Sequence, residues 1–406
     1  MDKVFAQTEL NAELKSLISQ FLSSNDPFIQ KGRYLICPGF CDVHVHFREP
    51  GFCYKETIKS GSMAAAAGGY TTVLTMPNLN PVPDSAANLK VQLDAIRRDA
   101  VIEVIPYGSI TVGQKGECLA DMDAMAKDVC AFSDDGRGVQ DEQLMVECLK
   151  KTKALGKLTV AHCEDNSLLF GGYIHDGLYA KQHGHKGICS ASEYVPVQRD
   201  VALAARVGAR YHVCHVSTKE SVQAIREAKA NGVDVSAETG PHYLVMTDMD
   251  LQEDGRFKMN PPLRAEDDRQ ALIKGLLDGT IDMLATDHAP HSEEEKSKGL
   301  QGSAFGIVGL ETAFPVLYTD LVKTGIMPLG KVIELMTSAP RARFDLELRR
   351  NDYTVFDLEA EYEIDPKNFL SKGKNTPFTG KKVFGKCIMT VHNGNTAYLY
   401  KENNNG

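Results

Sequence analysis

The sequence lacks several features that would place it in other classes of protein. It has no run of about 20 uninterrupted apolar residues, so no helix is expected to span a membrane. Its first residues, Met1–Phe5, lack the apolar core of a secretory signal. Basic residues are not in excess, since 45 lysines and arginines stand against 54 aspartates and glutamates. This balance argues against nucleic acid or an anionic membrane as a partner, and we expect a cytoplasmic protein that acts on a small molecule.

The ten cysteines lack the spacing of a disulfide framework or of a zinc motif. No CxxC pair occurs, and several cysteines lie inside apolar runs, as Cys130 does in Val-Cys-Ala-Phe and Cys214 in His-Val-Cys-His. Buried free thiols in a reducing compartment explain this distribution better than disulfides do.

What the sequence does contain is an alternation of short β-rich runs with helical patterns between residues 41 and 325. Eight strands, each followed by a helix, predict an α/β fold, a (β/α)₈ barrel of the TIM type. A doubly wound open sheet is the alternative, and the lack of a glycine-rich phosphate loop after any strand disfavours it. The predicted strands are Cys41–His46, Thr71–Thr75, Glu103–Tyr107, Val129–Phe132, Leu158–His162, Tyr211–His215, Val233–Glu238 and Asp282–Thr286.

One predicted helix, Thr218–Ala230, has a recognisable start and end. Ser217 precedes Glu220 by three residues, the spacing of a capping box, and Asn231-Gly232 is typical of a helix end.

The two ends of the chain predict a small second unit. Residues 1–30 have the pattern of one or two polar amphipathic helices, followed by a short strand at Tyr34–Cys37. We therefore expect a catalytic barrel over residues 41–340 and a small β-rich appended subdomain formed by residues 1–40 and 341–406. Three runs beyond residue 350 are typical of strands, namely Tyr353–Phe356, Lys382–Gly385 and Ile388–Val391.

Residues of the types that bind metals occupy the ends of the predicted strands. His44 and His46 lie two apart, and because side chains alternate along a strand, both point to the same side. The carboxyl ends of barrel strands form the active-site face of such folds. Imidazole and carboxylate ligands without thiolate favour Zn²⁺, with Mn²⁺, Fe²⁺ or Co²⁺ as alternatives, and their number allows one ion or two. The other strand ends offer Asp134, Asp135, His162, His215 and Asp287.

These strand ends belong to six short motifs. They are Pro38–Gly51, Met76–Asn78, Ala161–Asp165, His212–Ser217, Asn260–Arg264 and Ala285–His291. Together they resemble the motifs of dihydroorotases, members of the amidohydrolase superfamily, in order and approximate spacing. The resemblance extends from about residue 31 to the C-terminus and implies the barrel fold and a metal-dependent hydrolase.

The resemblance also implies a role for each candidate ligand. His44, His46 and Asp287 resemble the ligands of a first metal, and His162 and His215 resemble those of a second.

The segment Ala131–Gly136 matches the place where many relatives carry a carboxylated lysine that bridges the metals, and it contains no lysine. One branch of bacterial dihydroorotases is similar in using an aspartate there, which in this sequence is Asp135. Hydantoinases, dihydropyrimidinases and allantoinases typically keep the lysine, so its absence favours a dihydroorotase over these relatives.

A second group of residues is predicted to hold the substrate. Arg48, two residues after His46, points to the same side and offers a planar fork to a carboxylate. Asn78 and His291 resemble the other residues that hold the substrate carboxylate, and Asn260 resembles a further substrate contact.

The loop from Ser292 to Gly309 is predicted to cover the site. Its charge run Glu293–Lys298 is typical of a solvated segment, and its glycines supply flexible points for a lid that becomes ordered with substrate. The backbone groups of Phe305 and Gly306 are then expected to contact the substrate ring.

The resemblance implies reversible hydrolysis of (S)-dihydroorotate to N-carbamoyl-L-aspartate, a step of pyrimidine biosynthesis, with Asp287 as the catalytic residue that moves the proton. Another cyclic-amide hydrolase and a non-catalytic scaffold for a carbamoyltransferase are the alternatives. The resemblance also names aspartate transcarbamoylase as a candidate partner and a homodimer as the expected assembly.

Overall fold

The computed structural model describes residues 11–401 of the chain. Fifteen strands run through this part, numbered here in chain order: β1 Ile29–Lys31, β2 Tyr34–Pro38, β3 Phe40–Val45, β4 Tyr70–Thr75, β5 Glu103–Pro106, β6 Phe132–Ser133, β7 Thr159–Ala161, β8 Ile174–His175, β9 Gly187–Ile188, β10 Tyr211–Val213, β11 Val235–Thr239, β12 Met283–Leu284, β13 Tyr353–Glu363, β14 Lys382–His392 and β15 Asn395–Leu399.

The α-helices lie between and around these strands. None of the helices within residues 11–401 is long and apolar enough to cross a membrane. Their bounds are Ala12–Ser23, Ile58–Ala67, Ala86–Asp99, Met122–Met125, Glu142–Ala154, Leu178–His183, Ala191–Val207, Lys219–Ala230, Pro241–Val245, Glu266–Asp278, Glu293–Lys296, Gly299–Gly302, Ala313–Leu317, Leu329–Met336 and Ser338–Arg343.

Eight of the strands form a closed parallel barrel. β3, β4 and β5 pair in one sheet, and β6, β7, β10, β11 and β12 pair in a second. Gly108, just after β5, bridges to Phe132 in β6, and His288, after β12, bridges to Val45 at the end of β3. These two parallel bridges close the ring. The predicted (β/α)₈ barrel is therefore confirmed, and the open sheet is wrong.

The barrel strands are buried on both faces, which explains their sequences. Every residue of β3, β4 and β11 is buried, because the helices cover the outer face and side chains fill the interior. A substrate can reach the barrel only at the ends of the strands. Polar residues at these ends therefore indicate where the active site lies.

The remaining long strands form an antiparallel sheet in the order β1-β2-β13-β14-β15. β2 leads directly into β3 and pairs with β13 in the register Tyr353–Pro38 to Asp357–Tyr34. Ile36, Val355 and Met389 pack with the apolar face of the helix Ala12–Ser23. This helix confirms part of the helical prediction for residues 1–30, whereas β1 replaces the end of that segment. Residues 1–10 and 402–406 of the predicted subdomain lie outside the described residues.

Several predicted element boundaries differ from those of the structure. The runs Lys382–Gly385 and Ile388–Val391, predicted as two strands, form the single strand β14. The side chain that accepts a hydrogen bond at the start of the helix Lys219–Ala230 is Thr218, not Ser217. Ser217 instead donates to the buried carboxylate of Glu193, because the neighbouring threonine already supplies the cap. The fourth barrel strand begins at Phe132 rather than at Val129.

The cysteines are all free thiols. Six are buried, as expected for free thiols in apolar runs, whereas Cys53 and Cys118 are exposed.

Candidate metal and substrate site

Asp135 lies at the centre of a group of buried histidines at the carboxyl ends of the strands. Its Oδ1 is 3.3 Å from Nε2 of His44 and 3.6 Å from Nε2 of His215. Nδ1 of His162 is 2.9 Å from Nε2 of His215 and 3.8 Å from Oδ1 of Asp135. His44 in β3, Asp135 after β6 and His215 after β10 therefore bring their ligand atoms together. His162, after β7, reaches this group through His215 and Asp135.

Asp287 forms a second group with His46 and His44. Its Oδ1 is 3.0 Å from Nε2 of His46 and 3.6 Å from Nε2 of His44. The structure thus brings together all six predicted ligands, with His44 shared between the two groups.

Unpartnered polar atoms test whether these residues suit a metal ion. Nε2 of His44 and Oδ1 of Asp135 are buried, face the centre and have no hydrogen-bond partner among the described residues. Buried polar atoms are normally satisfied, and a cation is a partner that lone pairs of both imidazole and carboxylate can share. Two sets place their ligand atoms within 4.8 Å of one another, His44/Asp135/His215 and His44/His46/Asp287. The donor set fits one or two divalent cations.

A third set of ligand type, His44/Cys214/Glu238, does not describe the same centre. Burial raises the pKa of the Cys214 thiol, so it is protonated. Glu238 is already bound, because its Oε1 lies 2.6 Å from Nδ1 of His44. Nδ1 of His44 therefore faces Glu238, and Nε2 faces the metal centre.

Neighbouring charges shift the pKa values of the buried groups in the centre. Burial raises the pKa of Asp135, but His44 and His215 outweigh this effect and hold the pKa well below its ordinary value. Burial lowers the pKa of His44, but Asp135 and Glu238 reverse the shift and raise the pKa well above its ordinary value. The carboxylates around His44 thus favour a positive charge at this centre.

Two of the predicted ligands have strained backbones. His215 has a φ of 30° and Asp287 a φ of 49°, values that side-chain-bearing residues rarely adopt. Such strain persists where the surrounding structure holds it and is concentrated at functional sites. Both residues follow the end of a strand, where the chain turns to aim the side chain inward.

Two carboxylates that support the ligands were missed in the sequence. Glu238, near the end of β11, bonds Nδ1 of His44 and lies 3.1 Å from Nε2 of His212. Asp42, in β3, accepts from the backbone N–H of His44 and of Thr286. An acidic residue inside an apolar strand was the available signal. Asp134, by contrast, faces away from the ligands and accepts from the backbone N–H of Ile110 and Thr111.

Asn78 contacts the predicted ligand His46, and Asn260 contacts Glu164, which lies near His162. Oδ1 of Asn78 is 2.8 Å from Nδ1 of His46, which leaves the amide N–H₂ of Asn78 for a substrate. Asn260 donates to Glu164 at 2.8 Å. The other carboxylate oxygen of Glu164 is 3.7 Å from Nε2 of His162, too far for a direct hydrogen bond.

Arg48 and His291 meet at the rim of the centre. Nη2 of Arg48 is 3.4 Å from Nε2 of His291, and Nε of Arg48 donates to the carbonyl of Pro290. Nε2 of His291 donates to the carbonyl of Phe305 at 2.7 Å, so Nδ1 is the acceptor from Lys55. Burial and the nearby Arg48 lower the pKa of His291 to about 3, which keeps the ring neutral.

The predicted cover loop carries two short helices and passes directly over His291. Phe305 is partly exposed, whereas Gly306 is buried and has a φ of 128°. A Cβ at Gly306 would lie 2.7 Å from Cβ of Ala289, so only glycine allows this approach. The prediction that the whole charge run is solvated is wrong at Lys296, which is buried because backbone carbonyls surround its ammonium.

Comparison with known proteins identifies relatives of this chain. A family model described as Dihydro-orotase-like matches residues 32–221. A dihydroorotase of Fusobacterium nucleatum is 53% identical over 379 residues, which are 92% of this chain and 89% of that protein. A dihydroorotase of Bacillus caldolyticus is 50% identical over 386 residues, which are 93% of this chain and 90% of that protein.

Solved structures share the fold at lower sequence identity. An L-hydantoinase from Arthrobacter aurescens superposes with a TM-score of 0.79 at 24% identity, over 90% of this chain and 87% of that one. A dihydropyrimidinase from Brevibacillus agri superposes with a TM-score of 0.77 at 21% identity, over 90% and 85% of the two chains. These likenesses support the barrel described above.

Proposed function

The chain belongs to the dihydroorotase family, and on that premise we propose that the centre around His44 and Asp287 carries the activity. The reaction is the reversible hydrolysis of (S)-dihydroorotate to N-carbamoyl-L-aspartate, a cyclic-amide hydrolysis that belongs to pyrimidine biosynthesis. The likeness of this chain to the L-hydantoinase described above supports a shared fold and no more.

We propose Zn²⁺ as the metal, one or two ions for each chain, with His44, His46, Asp135, His162, His215 and Asp287 as the ligands. The unpartnered Nε2 of His44 and Oδ1 of Asp135 support this proposal. A bound divalent cation would make a water molecule more acidic and would polarise the carbonyl of the ring amide.

Asp287 is the proposed proton carrier. Burial raises its pKa, but His46 and His44 outweigh this and hold the pKa below its ordinary value, so the carboxylate is ionised at neutral pH. In hydrolysis it takes the proton of the attacking water and passes it to the ring nitrogen as the carbon–nitrogen bond breaks. Its side chain is buried at the mouth of the barrel, where bulk water does not compete for that proton.

Arg48 distinguishes dihydroorotate from other cyclic amides. Its buried guanidinium lies at the rim of the metal centre and contacts no carboxylate of residues 11–401. A buried guanidinium without a carboxylate partner matches a substrate that brings its own carboxylate. This observation carries the choice of substrate. Asn78, Asn260, His291 and the backbone of Phe305 and Gly306 are proposed as the further substrate contacts.

A substrate comparison tests this choice. The zinc-loaded protein should hydrolyse dihydroorotate with a much higher kcat/KM than hydantoin or dihydrouracil, which lack the ring carboxylate. Arg48→Met should lower kcat/KM for dihydroorotate by about 100-fold and leave the weak rates with the neutral rings little changed. Arg97→Met, at an exposed position on the helix Ala86–Asp99, is the matched control and should have no effect. Equal rates on all three substrates would contradict the proposal.

We also propose an assembly and a location for the protein. The family resemblance supports a homodimer and aspartate transcarbamoylase as a partner, and the acidic composition and free thiols support a cytoplasmic location. Light scattering tests the homodimer and the partner. It measures the mass of the protein in solution, first by itself and then mixed with the transcarbamoylase.

A further inference from the structure

Lys296 is a buried ammonium inside a charge run whose other members are exposed or half-buried. Only 7% of the residue is accessible. Its Nζ donates three hydrogen bonds, to the carbonyl oxygens of Lys258 at 2.9 Å, of Ala304 at 2.8 Å and of Gly306 at 2.8 Å. It forms no ion pair with any carboxylate in the described part of the chain, 11–401; the acidic residue that influences it at longer range is Asp254.

Burying an ammonium without a carboxylate partner costs free energy, so the hydrogen bonds of Lys296 must serve a purpose that offsets this cost. A lysine ammonium has three donors, and here each of them meets a backbone carbonyl. An apolar side chain of similar length would fill the same space without the cost of removing a charge from water. It would also leave the three carbonyls without this shared donor. The ammonium therefore serves to gather these carbonyls around one point.

The gathered carbonyls define the position of the substrate loop. Two of them flank Phe305, whose own carbonyl accepts from Nε2 of His291. The third belongs to Lys258, which also accepts from the backbone N–H of Gly306. The ammonium of Lys258 in turn lies 4.4 Å from the centre of the Phe305 ring.

A second residue holds the same carbonyl from another part of the chain. Nδ2 of Asn375 donates to the carbonyl of Gly306 at 2.9 Å, and Oδ1 of Asn375 lies 3.4 Å from the backbone nitrogen of His291. Asn375 therefore joins His291 to the loop, and Lys296 joins the loop to Lys258. The close approach of Gly306 to Ala289 leaves little freedom for the loop to settle elsewhere.

We propose that Lys296 is a positioning residue that holds the Ala304–Gly306 backbone in the geometry in which it receives the substrate ring. The proposal rests on the proposed function for its substrate. Lys296 touches neither the metal ligands nor the reacting bond, so its loss is expected to weaken substrate binding more than the chemical step.

Lys296→Met tests this in the full-length, zinc-loaded protein. Methionine keeps an unbranched side chain of similar length and removes the three donors. We expect KM for dihydroorotate to rise roughly tenfold, with kcat within about twofold of the wild type. Lys298→Met, at an exposed lysine of the same loop, is the matched control and should leave both constants unchanged.

Hydrogen–deuterium exchange gives a readout that does not depend on activity. Backbone amides of the segment 304–306 should exchange faster in Lys296→Met than in the wild type or in Lys298→Met. If the wild type does not hydrolyse dihydroorotate, the proposed function fails, and the exchange result still decides whether Lys296 holds the loop. Unchanged exchange together with an unchanged KM would overturn the inference, as would a loss confined to kcat.

If Lys296→Met does not fold, Asn375→Asp tests whether the held carbonyl of Gly306 positions the substrate. It replaces the donor to Gly306 by an oxygen and keeps Oδ1 beside the backbone of His291. A raised KM with retained kcat and faster exchange at 304–306 would support the inference that the held Gly306 carbonyl positions the substrate. Wild-type values for both measurements would overturn it.

Discussion

The mouth of the barrel and the five-stranded antiparallel sheet bury opposite kinds of side chain. At the mouth, the buried residues include His44, Asp135 and Asp287, whose charges interact across distances of 3.3 to 3.6 Å. In the sheet, the buried residues include Ile36 and Met389, which pack with a helix. Both regions are equally shielded from water, yet only one of them gains from the hydrophobic effect.

This difference indicates what each region contributes. Ionisable groups at the mouth are costly to bury, and a structure keeps them where they bind a ligand or carry out chemistry. Apolar groups in the sheet stabilise the fold by their burial. Substitutions should therefore separate the two regions, with activity lost at the mouth and stability lost in the sheet.

Asp287→Asn should have the largest effect on activity. The amide cannot carry the proton between water and the ring nitrogen, so kcat should fall by about 10³-fold. The variant should still fold, because asparagine has nearly the same shape as aspartate, and its unfolding temperature should stay near that of the wild type. Asp278→Asn, at an exposed acid on an outer helix, is the control. A fully active Asp287→Asn protein would contradict the proposed proton carrier.

Glu238→Gln should have an intermediate effect, on metal affinity rather than directly on the proton transfer. The carboxylate of Glu238 holds Nδ1 of His44 at 2.6 Å, which orients the ring and makes its Nε2 a better ligand. Loss of such a partner typically weakens metal binding by about 10- to 100-fold. Competition with a metal-binding dye measures this. Glu227→Gln, at an exposed position, should bind metal like the wild type, and an equal affinity in Glu238→Gln would show that the carboxylate has no such role.

Ile36→Val should have the smallest effect on activity and a measurable effect on stability. It removes one buried methylene from the sheet and should lower the free energy of unfolding by about 0.5–1.5 kcal/mol. Chemical denaturation measures that change, and kcat/KM should remain within about twofold of the wild type. A large loss of activity would mean that the sheet and the mouth are not separate in the way described.

The sequence was most informative where chemistry and strand geometry coincide. The spacing of His44 and His46 predicted that both would face the same centre, because side chains alternate along a strand. The rule that active sites lie at the carboxyl ends of barrel strands predicts His162, His215, Asp287 and the pair Asp134 and Asp135 as the other candidate ligands. The choice of Asp135 within that pair depends on the resemblance to dihydroorotases.

Contacts between distant parts of the chain could not be predicted in this way. Glu238 escapes the sequence pattern because its role depends on a contact across the barrel interior, from β11 to His44 on β3, two strands that do not pair. Lys296 was expected in solvent because its neighbours in sequence are charged, whereas the carbonyls that surround it come from Lys258 and from Ala304 and Gly306. The sequence pattern also fails to distinguish Ser217 from Thr218 as the helix cap, because both residue types are good caps and only tertiary structure selects one.

The most direct test measures metal content and activity in the same preparations. The protein purified without chelator should contain one or two zinc ions for each chain and hydrolyse dihydroorotate. Removal of the metal should abolish that activity while the protein remains folded, and added Zn²⁺ should restore it in proportion to the metal bound. Undiminished hydrolysis by fully metal-free protein would contradict the central claim that His44 and the other five proposed ligands act by holding a metal.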